Sequence, residues 1–150
     1  MSDETIKNEK DKLSRTELRE QVFISLFLAG FYEEAEREEA LRTYYDMQSF
    51  GAELTGEVFG RYKQVSVKIG TIDAMLSRYA IGWDLTRMGR AEINILRLAA
   101  FEILFDEDIP DKVAVNEAVE LAKKYGMKDS YGFVNGILGK VIDKKNESGI

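Results

Sequence analysis

Hydrophobic positions along most of the chain recur every three or four residues, and this spacing predicts helices, not strands. The apolar positions of the first such segment share one helical face: Leu18, Val22, Leu26 and Ala29. This segment opens on Ser14-Arg15-Thr16-Glu17, which fits a capping box, where serine and glutamate side chains satisfy backbone groups at a helix start. A helix is therefore predicted from Ser14 to near Gly30.

Further segments have the same helical spacing: residues 33–50, 53–79, 90–105, 110–126 and 128–142. The 53–79 segment contains Gly56, Gly60 and Gly70, at which a helix is expected to bend or break. Residues 90–105 are apolar nearly all round, as expected of a central helix buried by its neighbours. Pro110 favours a helix start, and Gly126 favours a helix end. The predicted fold class is all-α.

The chain has 150 residues, of which 45% are hydrophobic, and this predicts one globular domain. Residues 14–145 are assigned to that domain. The polar residues 1–13 are predicted to form a disordered N-terminal tail, and residues 146–150 a C-terminal tail. No apolar run approaches the ~20 residues that a membrane span needs, so a cytoplasmic protein is expected.

The residue types that are missing narrow the possible chemistry. Without cysteine or histidine, the chain has no disulfide, thiolate metal site, Ser-His-Asp triad or conventional zinc site. Neither a GxxxxGK(S/T) phosphate loop nor a GxGxxG turn is present. An enzyme would have to use carboxylates with a hard metal, or Lys, Ser and Tyr without an imidazole base. No catalytic residue, metal ligand or cofactor is assigned.

The net charge of −6 is concentrated in one stretch. Between Tyr32 and Glu57 lie eight acids and two bases, so this stretch carries the whole net charge, and 19 acids balance 19 bases elsewhere. Acidity confined to one solvated helix face leaves room for a basic patch that binds a polyanion elsewhere on the molecule.

Several motifs in the second half resemble one known family. The sequences ILRLAAFEILF, IPDKVAVNEAVELAKKYG and FVNGIL follow one another in the order and spacing of the NusB-type transcription antitermination factors, and SRTELREQVFISLF is similar to that family's first helix. The resemblance implies about seven helices in two packed helical subdomains. It also implies binding of single-stranded boxA RNA together with the ribosomal protein NusE, which keeps RNA polymerase from terminating.

On the first predicted helix, Arg15, Arg19, Phe23 and Phe27 are spaced four residues apart. The residues alone favour both phenylalanines as core and both arginines as solvated ends. The resemblance instead implies RNA contacts by Arg15, Arg19 and Phe27. Thr16 and Glu17 depart from the family, in which many relatives are basic here, so part of the RNA affinity is expected from NusE or from lysines of the tail (Lys7, Lys10 and Lys12).

The last predicted helix has two distinct faces at 100° per residue. Its core face is predicted to hold Val134, Ile137, Leu138 and Val141. Gly132, Gly136 and Gly139 fall on the opposite side and form a strip without side chains. Sequence drift alone would account for Gly132 and Gly139, and Asn135 is either at the edge of this strip or a buried polar residue between helices.

The resemblance assigns roles next to this glycine strip. Gly136 belongs to the FVNG motif, in a helix that borders the RNA path, and a bare backbone lets another chain approach. Phe133 is then a candidate base-stacking residue, and Asp129 a candidate modulator of RNA affinity.

Other polar residues have simpler interpretations. Arg97, in an apolar helix, is predicted to pair with a buried carboxylate. Glu92 suits a helix start, and the resemblance also makes it a candidate contact with NusE. Four acids form either a solvated loop, which we favour, or a magnesium site: Asp106, Glu107, Asp108 and Asp111. Trp83 is expected in the core or as a lid.

The sequence therefore favours an RNA-binding adaptor in antitermination of ribosomal RNA transcription, not an enzyme. One alternative is a module that resembles the N-terminal RNA-binding part of rRNA cytosine methyltransferases. Others are a helical interaction protein that binds no RNA and a carboxylate-metal enzyme.

Overall fold

The computed structural model describes residues 12–80 and 88–147. Within these two ranges the chain forms no strand and seven α-helices: α1 (Arg15–Ala29), α2 (Glu34–Met47), α3 (Ala52–Ser66), α4 (Ile69–Tyr79), α5 (Arg90–Phe105), α6 (Asp111–Tyr125) and α7 (Ser130–Glu147). The all-α prediction is confirmed. None of these helices is long and apolar enough to cross a bilayer.

The chain divides into two compact units, Met1–Gln64 and Val65–Ile150. In the first unit, α1 begins with the predicted capping box. The Ser14 hydroxyl accepts from the Glu17 backbone N–H at 3.1 Å, and the Glu17 carboxylate accepts from the Ser14 backbone N–H at 2.9 Å. These two bonds satisfy backbone donors that a helix start otherwise leaves without partners.

The packing of α1 on α2 includes a buried polar contact in the core of the first unit. Ser25 and Tyr45 are fully buried, and their hydroxyl oxygens lie 2.7 Å apart. The Ser25 hydroxyl also donates to the Gln21 carbonyl at 2.8 Å. Burial raises the pKa of Tyr45 to about 12, because a phenolate without water around it is unfavourable. The buried apolar residues of this unit include Val22, Phe23, Leu26, Leu41 and Leu54.

In the second unit, α5 packs against α4, α6 and α7. Its buried residues lie on every side of the helix and include Ile95, Leu96, Leu98, Ala100 and Ile103. The prediction of a central helix is therefore confirmed. The α6 and α7 helices pack in opposite directions, since the Lys145 ammonium near the end of α7 lies 2.8 Å from the Asp111 carboxylate at the start of α6.

The structure corrects two predicted element boundaries. The break in the 53–79 segment falls at Val67 and Lys68, where the Lys68 N–H donates to the Val65 carbonyl at 2.9 Å in a tight turn. The segment's three glycines instead lie inside α3 and α4. The last helix continues past residue 142 and ends at Glu147. The predictions for Trp83, Lys7 and Lys10 fall outside the described residues.

Candidate nucleic-acid interface

The start of α1 presents the arginines that the resemblance assigned to RNA. Arg15 is exposed, and Arg19, one turn later, is half-buried. Phe23 is core, with 2% of its surface exposed, whereas Phe27 is half-buried. The core interpretation is therefore right for Phe23 and only partly right for Phe27. At 1.5 Å per residue, Arg19 and Phe27 lie about 12 Å apart along the helix.

A further aromatic contact, which was not predicted from the sequence, lies between Phe27 and Phe31. The Phe31 ring packs edge-on against Phe27 with centroids 5.3 Å apart, and 56% of Phe31 is exposed. The sequence does contain a sign of this contact, because Phe27 and Phe31 are four residues apart. The turn that carries Phe31 is held by the Arg37 guanidinium, whose Nε donates to the carbonyls of Ala29 and Tyr32 at 2.9 and 3.0 Å.

Charge is distributed unevenly along the first unit. Lys12 and Arg15 are exposed near the start of α1, while the acids that follow its end are exposed as well: Glu33, Glu34 and Glu36. The Glu17 carboxylate, also in the first turn of α1, accepts from the Ser14 N–H in the capping box. The start of α1, and not its end, is therefore the electrostatically suitable side for a phosphate backbone.

The faces of α7 agree with the predicted periodicity. Val134, Ile137, Leu138 and Val141 are buried. A Cβ built at each glycine of the strip (Gly132, Gly136 and Gly139) meets no described atom within 4 Å. The glycine strip therefore faces outward. Asn135 is exposed, so the alternative of a buried asparagine between helices is wrong.

Two candidate RNA residues lie beside this strip. Phe133 is half-buried and Asp129 is exposed. Asp129 immediately precedes α7 with a φ of 67°, a left-handed conformation that aspartate adopts more readily than most residues. The backbone of the turn thus fixes where this carboxylate lies.

Glu92 occupies the first turn of α5, as predicted, but only 5% of it is exposed. Its Oε2 accepts a hydrogen bond from the Met127 backbone N–H at 2.6 Å. A Cβ at Gly89 would contact Glu92 Oε1, and a Cβ at Gly126 would lie 2.8 Å from Oε2, so the carboxylate fits between two residues that lack side chains. Its contact with a partner protein stays a prediction, and the burial makes a direct contact through the carboxylate unfavourable.

Arg97 is paired, as predicted. Its Nε and Nη2 donate to the two carboxylate oxygens of Asp73 at 2.9 and 2.7 Å, and Nη1 donates to the Asn94 side chain at 3.1 Å. Asp73 is half-buried, whereas a buried carboxylate was predicted for this pair. This bidentate pair joins α4 to α5.

Two of the acidic residues after α5 make contacts within their own loop or with a neighbouring helix. The Asp106 carboxylate accepts from the Asp108 backbone N–H at 3.0 Å, and Asp111 pairs with Lys145. Among residues 12–80 and 88–147, carboxylates do not form a group of three or more that could hold a metal ion. These contacts fit the solvated-loop interpretation.

Comparison with known proteins gives consistent matches. Residues 16–143 match the model of the NusB family. The chain is 48% identical over 132 residues to the transcription antitermination protein NusB of Lachnoclostridium phytofermentans, covering 87% of this chain and all of the relative. It is 38% identical over 135 residues to the NusB of Agathobacter rectalis, covering 85% and 98%. The crystal structure of T. maritima NusB superposes with a TM-score of 0.79 at 32% identity, covering 93% of this chain and 99% of that one.

Proposed function

The chain belongs to the NusB family of transcription antitermination proteins, and from this membership we propose that it binds single-stranded boxA RNA in nascent ribosomal RNA transcripts. In this proposal it binds together with the ribosomal protein NusE and supports processive transcription of rRNA operons by RNA polymerase. It acts as an adaptor in the cytoplasm, not as an enzyme. RNA and NusE form one assembly with it, and the assembly stays attached to the polymerase.

The observation that carries the proposal is the accessible start of α1. Arg15 and Arg19 occupy successive turns there, and the half-buried ring of Phe27 follows two turns after Arg19. Single-stranded RNA is commonly held by cations at its phosphates and by aromatic rings against its unstacked bases. This helix supplies both groups.

The glycine strip of α7 supports the same proposal. Gly136 leaves the helix backbone open to a second chain, and the half-buried Phe133 lies one turn before it. Asp129 is the acid that modulates RNA affinity here. Glu92 contributes to partner binding indirectly, through the turn that its hydrogen bond to Met127 holds.

Antitermination is favoured over a methyltransferase module by the extent of the matches. The two relatives described above are named as antitermination proteins and are matched over 98–100% of their own length. Within the described residues, the acidic side chains form no metal-binding group that would favour a carboxylate-metal enzyme.

The test is binding of a fluorescent boxA oligonucleotide, with and without NusE, against a scrambled RNA of the same composition. We expect boxA to bind more tightly, most clearly with NusE. Arg15→Ala/Arg19→Ala should weaken RNA binding. It should also reduce the slope of log K against log salt concentration by about 1.4, because each phosphate contact to a single strand contributes about 0.7 to that slope.

The charge-matched control is Arg42→Ala/Lys63→Ala. Both cations lie in the first unit over the Phe59 ring, at 4.8 and 5.5 Å from its centroid, and neither is a candidate RNA contact. Equal affinities for boxA and scrambled RNA in the presence of NusE would overturn the proposal. Equal salt slopes for the two double variants would move the RNA site away from α1.

A further inference from the structure

Three lysines cluster around the turn between α6 and α7. Lys123 and Lys124 lie in the last turn of α6, Lys128 lies in the connecting turn, and all three are exposed. From Lys123 to Tyr131 the chain contains a single acid, Asp129. The local charge is therefore positive, although the protein as a whole is acidic.

Two tyrosine rings lie among these lysines. The Lys123 ammonium is 5.3 Å from the centroid of the Tyr131 ring, and the Lys124 ammonium is 5.4 Å from that of Tyr125. Tyr131 is 43% exposed and Tyr125 is 37% exposed. Each tyrosine thus lies beside a lysine and is partly exposed. Proteins that bind single-stranded nucleic acid combine these two groups, with the cation at a phosphate and the ring stacked on a base.

Helix stability alone accounts for only part of this arrangement. Lysines favour the negative end of a helix dipole, and Lys123 also forms an exposed ion pair with Glu120 at 3.5 Å. Lys128 lies beyond the end of α6, so the dipole of that helix does not explain it. Neither explanation accounts for two large rings left exposed at the same turn.

The turn is also held in place. The Met127 N–H donates to the buried Glu92 carboxylate at 2.6 Å, and the Met127 carbonyl accepts from the Ser130 N–H at 3.0 Å. At Gly126 a side chain would lie 2.7 Å from the Ala122 carbonyl oxygen, so the chain passes too close there for any other residue. A fixed turn loses little conformational freedom when a ligand binds.

We propose that Lys123, Lys124 and Lys128, together with the rings of Tyr125 and Tyr131, extend the RNA-binding surface from Asp129 over the end of α6, as the basic–aromatic surface. The lysines neutralise phosphates of a single strand, and Tyr131 stacks on an unpaired base. Gly132, next to Tyr131, is exposed and leaves the approach to that ring open. The proposal rests on the RNA-binding function proposed above and extends it to residues that the resemblance did not assign.

The first test removes charge. Lys124→Ala/Lys128→Ala in the full chain should reduce the log–log salt slope for boxA RNA by about 1.4, the value for two phosphate contacts. The control is Lys112→Ala/Lys144→Ala, which removes the same charge from two exposed lysines at the opposite end of the same helix pair. We expect the control to keep the wild-type slope. Circular dichroism establishes that both variants fold.

The second test removes an aromatic ring. Tyr131→Leu should weaken RNA binding at least about fivefold, the lower end of what stacking on one base contributes, and Tyr131→Phe should restore it. The control is Phe105→Leu, because Phe105 is 41% exposed in the same unit and also lies under a lysine, with the Lys68 ammonium 4.9 Å from its centroid.

The outcomes separate this proposal from the function on which it rests. If wild-type protein binds boxA and the lysine or tyrosine variants match their controls, the basic–aromatic surface is wrong and the proposed function stands. If wild-type protein binds no RNA, both are wrong. If the variants lose NusE binding and keep RNA affinity, the surface binds NusE instead and the RNA proposal for it is overturned.

Discussion

The buried carboxylate of Glu92 accepts a hydrogen bond from the backbone N–H of Met127 at 2.6 Å. This contact joins the first turn of α5 to the turn between α6 and α7, 35 residues later in the chain. A carboxylate that is removed from water must be hydrogen-bonded, or its burial is costly. Glu92 therefore couples the central helix to the turn that carries the basic–aromatic surface.

Replacing Glu92 separates its structural role from a direct role in partner binding. Glu92→Ala removes the acceptor and leaves the Met127 N–H without its partner. The free energy of unfolding should therefore fall by about 2–3 kcal/mol. For a chain of this size, that corresponds to a melting temperature lower by roughly 5–10 °C. Thermal unfolding followed by circular dichroism measures the effect.

Glu92→Gln is the matched variant, because the amide oxygen still accepts from Met127 while the charge is lost. We expect it to stay closer to the wild type in stability than the alanine variant and to keep NusE binding. If the glutamine variant is stable but binds NusE poorly, the carboxylate contacts the partner directly and its burial in the free protein is relieved on binding.

Two glycines of the second unit, Gly126 at the end of α6 and Gly136 within α7, should respond to alanine in opposite ways. At Gly126 a Cβ would lie 2.7 Å from the Ala122 carbonyl oxygen and 2.8 Å from Glu92 Oε2, so Gly126→Ala should destabilise the fold by about 1–3 kcal/mol. At Gly136 the space is open and the residue lies within α7, so Gly136→Ala should stabilise it by up to about 1 kcal/mol.

Urea unfolding of the two alanine variants tests this difference. A destabilised Gly136→Ala would show that the glycine strip is a packing seam. The larger change Gly136→Leu tests binding instead of stability. We expect a folded protein with weaker RNA or partner binding, because the leucine side chain fills the open approach to the backbone.

Local periodicity explains which features the sequence predicted. The capping box at Ser14 depends on residues three apart, and the two faces of α7 follow from 100° per residue, so both were predictable. For Arg97 the need for a carboxylate partner followed from its apolar surroundings, but the identity of Asp73 did not, because the partner lies 24 residues away in another helix. The burial of Glu92 depends in the same way on a turn 35 residues distant. The kind of partner that a buried charge needs can be predicted from the local sequence, whereas the identity of that partner depends on tertiary packing.

Asp129 should weaken RNA binding by its charge. It is the single acid from Lys123 to Tyr131, and it would lie close to any phosphate held by these lysines. Asp129→Asn should therefore raise RNA affinity about two- to fivefold at low salt, the range for one exposed charge interaction. Asparagine also tolerates the left-handed backbone at this position, where φ is 67°.

Fluorescence anisotropy at two salt concentrations measures the Asp129 effect, which should shrink as screening increases. Asp143→Asn is the control, since Asp143 is an exposed acid farther along α7. An equal gain in both variants would trace the effect to net charge and not to the turn.

Burial of Tyr45 makes the stability of the first unit sensitive to alkaline pH. Its pKa is about 12 in the folded protein and 10.0 in the unfolded chain, so the folded state keeps the proton more tightly. This contribution is fully present below pH 10 and is lost as the pH rises through 12, for a total of about 2–3 kcal/mol. Other groups titrate in the same range, so the difference between the wild type and Tyr45→Phe isolates this one.

The Tyr45→Phe variant should be less stable at neutral pH by about 1 kcal/mol, the value of one buried hydrogen bond. Its Ser25 hydroxyl keeps the bond to the Gln21 carbonyl at 2.8 Å, so no buried donor is left without a partner. Between pH 10 and 12 the variant should lose less stability in urea than the wild type, and the two curves should converge or cross. If stability falls in parallel with pH for the wild type and the variant, Tyr45 ionises equally well in the folded and unfolded states. Its buried contact with Ser25 would then have to open before the chain unfolds.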